Sequence, residues 1–250
     1  MEQPWNLEPD QWAKVLSKDT SPLKLAQDIR KGRNLPWVET LIKETMDSES
    51  ILDLGSGNGQ NSAVLARLNK TTTLLDWSQN NIDFSKLLYK ELDLQGTFLQ
   101  GDMTKRLPFD DGAFDVAFTC GVLEYFSDEQ LREVIKEAMR VVRRRLIILV
   151  PNARSIPYQF GMWYMKKTKT WVWGGERPFA TMKPYYNPNE IKSLKEFTVS
   201  TWHALNFLTM PGGVFAQKVL RKLFRMTEHP RTAKFGQGYL LISIVEKSYD

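Results

Sequence analysis

Ile51-Leu52-Asp53-Leu54-Gly55-Ser56-Gly57-Asn58-Gly59 is a short apolar run that leads into three glycines spaced G-x-G-x-G, and the residues from Gln60 onward read as a helix. Glycines let the backbone turn tightly and approach a ligand closely at the N-terminus of a helix. A glycine-rich turn can also exist only to pack a strand against a helix, so the loop alone leaves both readings open. Outward from it, apolar runs alternate with helical stretches. Ile51–Leu54, Thr72–Leu75, Gly96–Leu99, Phe114–Phe118 and Leu146–Val150 read as strands, with helices near 60–69, 78–92 and 127–144 between them. The alternation predicts an α/β fold of Rossmann-like type, a parallel sheet covered by helices on both faces. Ser78, Ser127-Asp-Glu-Gln130 and Asn187-Pro-Asn-Glu190 mark helix starts, the last two with Gln or Glu three residues after the capping side chain. The sheet resumes near Phe197–Ala204 and ends with Tyr239–Val245.

The 250 residues, 42% of them hydrophobic, supply ample material for a packed core. No apolar run approaches the roughly 20 residues that span a bilayer. The start, MEQPWNLEPDQW, lacks the pattern of a secretory signal, and the single cysteine, Cys120, forms no internal disulfide, so a cytoplasmic, reducing setting is expected. No linker or internal repeat divides the chain, which reads as one domain with elaborations. Residues 1–46 form helices that precede the core, with Trp12, Val15 and Leu16 at helical spacing and Pro36 in the first turn of a second helix. Residues 47–153 form the central α/β part, 154–186 an insertion, and 187–250 the remainder of the core. The formal charge of +5 is uneven: residues 1–150 carry 19 Lys/Arg against 23 Asp/Glu, and 151–250 carry 15 against 6.

Acids stand where a nucleotide-like cofactor needs them. Asp76 ends the second strand 17 residues after Gly59, where a carboxylate can accept both hydroxyls of a ribose. Gly101-Asp102-Met103 ends the third strand with an acid and an apolar side chain, suited to an adenine amino group and ring face. Asp53 lies too early to touch a ribose, and is placed to order the loop or approach a cationic group. A dinucleotide loop, G-x-G-x-x-G, would need glycine at position 60, which is Gln60, and no G-K-[ST] of a phosphate loop is present. Two histidines and one cysteine do not make a conventional Cys/His zinc cluster, so no metal is expected.

These residues resemble the ordered motifs of class I S-adenosylmethionine-dependent methyltransferases, in their small-molecule branch. The resemblance is carried by D-L-G-S-G-N-G at 53–59, Asp76-Trp77, Gly101-Asp102-Met103, Leu107-Pro-Phe-Asp-Asp-Gly-Ala-Phe-Asp-Val116 and Gly121-Val-Leu-Glu-Tyr-Phe126, and covers about 50–150. It implies a seven-stranded sheet whose last strand is antiparallel, and S-adenosyl-L-methionine as cofactor. It also implies that Asp53, Gly55, Ser56, Gly57 and Gly59 surround the methionine part, Asp76 and Trp77 the ribose, Gly101, Asp102 and Met103 the adenine, and Cys120 to Tyr125, with Leu123, the sulfonium side. The branch commonly reads G-V-L-E-H where this chain has Tyr125, so a histidine base is missing there. Thr119-Cys-Gly-Val is not the N-P-P-Y type that methylates exocyclic amines of bases, which argues against DNA as substrate.

Methyl transfer from a sulfonium asks the protein mainly to align the acceptor and exclude water. A neutral amine needs only to shed a proton, whereas a hydroxyl benefits from a base. The candidates are Tyr125, which orients an acceptor, donates its hydroxyl or simply packs, and His203, beside the sixth strand. Glu124 bonds a ligand or a nearby backbone group. Arg154–Tyr186 holds nine aromatics, six basic residues and one acid. Tyr158, Trp163, Tyr164, Trp173 and Tyr186, with Phe160, Trp171, Phe179 and Tyr185, form either an aromatic roof over a flat or cationic substrate or a packed subdomain. Trp5, Trp12 and Trp37 are placed to close over the cofactor, and Arg33 to meet its carboxylate. Residues 214–226 read as a basic amphipathic helix, an ordinary surface element or a contact for anionic membrane or RNA. Arg143-Arg144-Arg145 reads as a helix end complementing the dipole, with no partner. The sequence therefore points to methylation of nitrogen or oxygen on a small aromatic or amphipathic molecule. RNA or protein methylation through the basic C-terminal part, and a non-catalytic module of the same fold, are the alternatives.

Overall fold

In a computed structural model, residues 21–35, 37–169, 171, 174–199 and 238–248 are described. The strands are β1 (Ser50–Leu54), β2 (Thr71–Asp76), β3 (Thr97–Gln100), β4 (Phe114–Cys120), β5 (Val142–Pro151), β6 (Ile191–Val199) and β7 (Leu240–Lys247). The helices are α1 (Pro22–Arg30), α2 (Val38–Glu44), α3 (Gln60–Ala66), α4 (Gln79–Leu92), α5 (Asp128–Val141) and α6 (Ile156–Lys167). The strands form one sheet in the order β3-β2-β1-β4-β5-β7-β6, with β3 to β5 parallel and β7 antiparallel to both of its neighbours. This is the expected Rossmann-like architecture, its last strand reversed.

The central strands are apolar throughout because both faces are covered. Successive side chains alternate faces. Leu52, Ala117, Leu146 and Ile148 join the α5 side with Leu131, Val134 and Ile135. Ile51, Val116, Phe118, Ile147 and Leu149 join the other side with Leu41 and Leu65. Beyond β2, α1 lays Leu25, Ala26 and Ile29 against Leu88, Tyr89 and Leu92 of α4. Capping agrees with the expected starts: Ser21 and Ser78 accept from Lys24 N and Asn81 N, and Ser127 with Gln130 completes a reciprocal capping box. Of the expected N-terminal helices, Trp5, Trp12, Val15, Leu16 and Pro36 lie outside the described residues.

Three expectations need correction. The helix expected over 127–144 ends at Val141, and Arg143, Arg144 and Arg145 belong to β5 rather than to a helix end. They also have partners: Arg144 and Arg145 pair with Asp47, Arg145 with Glu246, and Arg143 with Asp115. Register with β4, Phe114 beside Val142 and Val116 beside Arg145, overrides the local helical preference. The second concerns Asn187–Glu190, which begins no α-helix. Asn187 caps a single 3-10 turn over Pro188–Glu190 by accepting from Asn189 N at 3.1 Å, and β6 follows at once. The sixth strand is consequently Ile191–Val199, earlier than the expected 197–204, because its pairing runs along β7 from Lys247 to Leu240. Thirdly, Tyr186, expected in the aromatic roof, belongs with Phe179 and Met182 to the cluster beneath α5.

Candidate active site

The C-terminal ends of β1, β2, β3 and β4 open onto a cleft of about 510 Å³. Its floor is the glycine loop, where Gly55, Gly57 and Gly59 all have positive φ. Gly55 N and Ser56 N both donate to Leu75 O, which folds the loop back across the end of β2. The glycines divide the two readings between them. A Cβ on Gly59 would lie 2.6 Å from Ser85 Oγ, and one on Gly55 2.6 Å from Val122 Cγ2, so both permit close packing. Gly55 and Gly57 also line the cleft, whereas Gly59 caps α3 behind it.

Two buried carboxylates organise this end. Asp53 accepts from Ser62 Oγ at 2.6 Å. Burial, aided by the nearby Asp76 charge and opposed by that hydrogen bond, raises its pKa to about 7. Asp76 accepts from Gly57 N at 2.8 Å, Ser78 N at 2.9 Å and Asn81 Nδ2 at 3.1 Å. Burial pushes its pKa up, and those three hydrogen bonds oppose the rise. Asp102 stands at the rim and accepts from Thr104 N and Oγ1, with Met103 buried beside it and Trp77 partly exposed. Ser56 Oγ and Asn61 Oδ1 are buried on the cleft wall without hydrogen-bond partners.

The other end begins at Cys120, where β4 gives way to Gly121, at φ +74, and the 3-10 turn Leu123–Tyr125. That turn brings Glu124 and Tyr125 to the cleft wall, where Glu176 of the insertion and Tyr239 join them. Glu124 is 3% exposed, and its Oε2 has no hydrogen-bond partner. Burial, with the Glu176 charge adding to it, holds its pKa well above the ordinary value. Glu176, 5% exposed, accepts from the Tyr158 hydroxyl, and burial raises its pKa to about 7 against the opposing effects of that bond and Lys166. Burial and the two glutamates push the Tyr125 phenol far up, so it is no base near neutral pH. Burial does the same to the Cys120 thiol, which stays protonated.

Of the residues expected around a cofactor, Asp53, Gly55, Ser56, Gly57, Asp76, Trp77, Gly101, Asp102, Met103 and Cys120 line this cleft. Gly59 does not, and Leu123 turns away into the core cluster. Trp37 lines the cleft with Leu35, while Arg33 sits outside it in an exposed ion pair with Asp28 at 3.1 Å. The aromatic roof fares differently. Tyr158 is fully buried behind Glu176, Tyr186 is buried and donates to Ser243 Oγ, and Trp163 is 55% exposed on α6. Tyr164 also lies off the cleft. Trp173 and His203 lie outside the described residues, as does the basic stretch 214–226. Residues missed in the sequence include Leu35, Asn61, Asn81, Glu176 and Tyr239. Glu176 had left a signal, as the lone acid in an insertion otherwise basic and aromatic.

Residues 51–145 match a family described as a methyltransferase domain. An uncharacterized methyltransferase of Synechocystis is 32% identical over 95 residues, which is 38% of this chain and 42% of that protein. This chain therefore spans less than half the length of that relative. Magnesium-protoporphyrin O-methyltransferase of Rhodobacter capsulatus is 24% identical over 159 residues, 62% of this chain and 69% of that protein. The fold of magnesium protoporphyrin IX methyltransferase from Synechocystis, solved with bound S-adenosylmethionine, is similar over 96% of this chain and 90% of that one, at 16% identity and a TM-score of 0.57. Among the described residues no helix is long and apolar enough to cross a membrane. Residues 51–145 of this chain are thus similar to a methyltransferase domain, and the fold is similar to that of a methyltransferase solved with S-adenosylmethionine.

Proposed function

We propose that the protein transfers a methyl group from S-adenosylmethionine to nitrogen or oxygen of a small, flat or amphipathic molecule bound in the same cleft. The observation that carries this reading is the cleft's division into two chemically different ends that meet at Cys120 and Gly121. A volume of about 510 Å³ falls within the usual range of small-molecule sites. In this reading Asp53, Ser56 and Asn61 take the methionine part, since they set acceptor oxygens, two of them otherwise unpaired, toward a cationic amino group. Asp76 accepts a ribose hydroxyl at the acceptor site that Gly57, Ser78 and Asn81 leave free. Met103 and Asp102 meet the adenine, and Leu35 and Trp37 close over it.

When bound, the sulfonium supplies an already electrophilic methyl. The chain's own work is to seat the acceptor at the Glu124–Tyr125–Glu176–Tyr239 end, keep water out and receive a proton. In this reading residues 154–186 contribute through Glu176 and Tyr158.

Calorimetry with S-adenosylmethionine and S-adenosylhomocysteine, with NAD as control, tests the reading. Binding in the micromolar range, absent for NAD and weakened at least ~10-fold by Asp76→Ala, is expected. No binding of either compound by the wild-type protein overturns it.

A further inference from the structure

Among the described residues, the cleft wall carries Asp53, Asp76, Asp102, Glu124 and Glu176 and no Lys, Arg or His, in a chain whose formal charge is +5. The proposed cofactor accounts for the first three: its amino group, ribose and adenine each have an acid assigned. Glu124 and Glu176 are surplus, and both face the end where the acceptor must enter.

Among the described residues, no cation lines the cleft beside them. No ion pair among the described residues reaches either carboxylate. Lys166, the cation that acts on Glu176, is exposed on α6 and is not part of the cleft wall. Arg177 lies close in the chain, yet its side chain pairs with Asp128, and only its backbone N–H reaches the Glu124 carbonyl. A buried carboxyl with an oxygen that nothing satisfies costs stability unless a partner arrives with the ligand. Tyr125 and Tyr239 line the same cleft, and aromatic rings attract cations.

We propose that the acceptor is an amine that enters as an ammonium ion and is held by Glu124 and Glu176, so that the reaction is N-methylation. This rests on the proposed function and narrows its acceptor. The two carboxyls recognise the positive charge, and one of them then takes a proton from nitrogen, which frees the lone pair. That pair forms the new N–C bond as the C–S bond breaks. The sulfur keeps the electrons of the broken bond as a thioether, and the positive charge passes from sulfur to the methylated nitrogen. An acceptor carrying a carboxylate or phosphate near the reacting nitrogen is repelled from this end.

Paired probes of one skeleton test the proposal: benzylamine against benzyl alcohol, and phenethylamine against phenethyl alcohol. Each is titrated calorimetrically into the full-length protein saturated with S-adenosylhomocysteine. At least one amine is expected to bind ~10-fold or more tightly than its alcohol. The preference should shrink toward unity in Glu124→Gln and Glu176→Gln, while S-adenosylhomocysteine still binds both variants and so reports that they fold. Equal binding within each pair, no binding by either amine, or a preference that survives both substitutions overturns the proposal. Failure of S-adenosylhomocysteine to bind the wild-type protein overturns the proposed function instead.

Discussion

The two ends of the cleft are built on opposite principles. At the glycine loop, the carboxylates are already engaged by the protein: Asp76 by two backbone amides and Asn81, Asp53 by Ser62. These partners lie in the glycine loop, on α3 and at the start of α4, within one contiguous stretch of chain. At the acceptor end, Glu124 leaves an oxygen unsatisfied, and Glu176 comes from an insertion more than fifty residues further on. The first end is preorganised by short loops whose chemistry is written consecutively. The second is assembled by a distant segment docking, and the Glu124 Oε2 oxygen remains available to a ligand.

The largest expected effect breaks the preorganised end. Gly59→Val places a β-branched side chain at φ +73 and drives its Cβ into Ser85 and Leu74, so a loss of about 3 kcal/mol is expected in urea unfolding. Wild-type stability in that variant would mean the loop is not held as described. Asp76→Ala comes next: it removes the acceptor of Gly57 N and Ser78 N as well as the proposed ribose contact. Melting should therefore drop by about 1–2 kcal/mol in addition to the loss of cofactor affinity.

A titration sharpens the comparison. Asp53 and Glu176 have folded pKa values of about 7, above the ordinary 3.8 and 4.5 of these side chains. The unfolded chain therefore gives up these protons first, and stability falls as pH rises from the unfolded values through about 7. Asp115 behaves oppositely. Although burial opposes it, hydrogen bonds from Ser50 and Glu49 and the Arg143 charge lower its pKa to about 2. Its contribution is present above the unfolded value and is lost as pH falls toward 2. Thermal melts from pH 5 to 9 should decline toward the alkaline side, and Asp53→Asn should flatten that decline. An unchanged slope would contradict the burial described for Asp53.

Tyr158→Phe removes the donor to Glu176, with an expected cost of about 1 kcal/mol and a weakened amine preference. The smallest effect belongs to Trp163→Ala. That side chain is half-exposed on α6, so stability should move by less than about 0.5 kcal/mol and probe binding not at all. A large loss of probe binding would restore Trp163 to the acceptor site.

How legible each part was follows its range along the chain. The alternation that predicts β1 to β5, the capping box at Ser127 and Gln130, and the acids at Asp53, Asp76 and Asp102 all depend on neighbours a few residues away. The three arginines misled because their local preference is helical, while strand register and Asp47 and Asp115, remote in sequence, decide their state. The aromatic insertion misled in a second way. Composition marks rings as valuable without saying whether they face a ligand, and Tyr158 and Tyr186 face the protein instead.

The sequence by itself determined the class of fold and the places of the first five strands along the chain, because glycine conformations, strand alternation and helix caps act over a few residues. Only the tertiary structure decided where β6 begins, which glycines pack and which face a ligand, and that the lone acid of the insertion stands beside Glu124. Those outcomes depend on which surfaces meet when β7 pairs between β5 and β6 and the insertion docks, and such long-range contacts leave no local pattern in the chain.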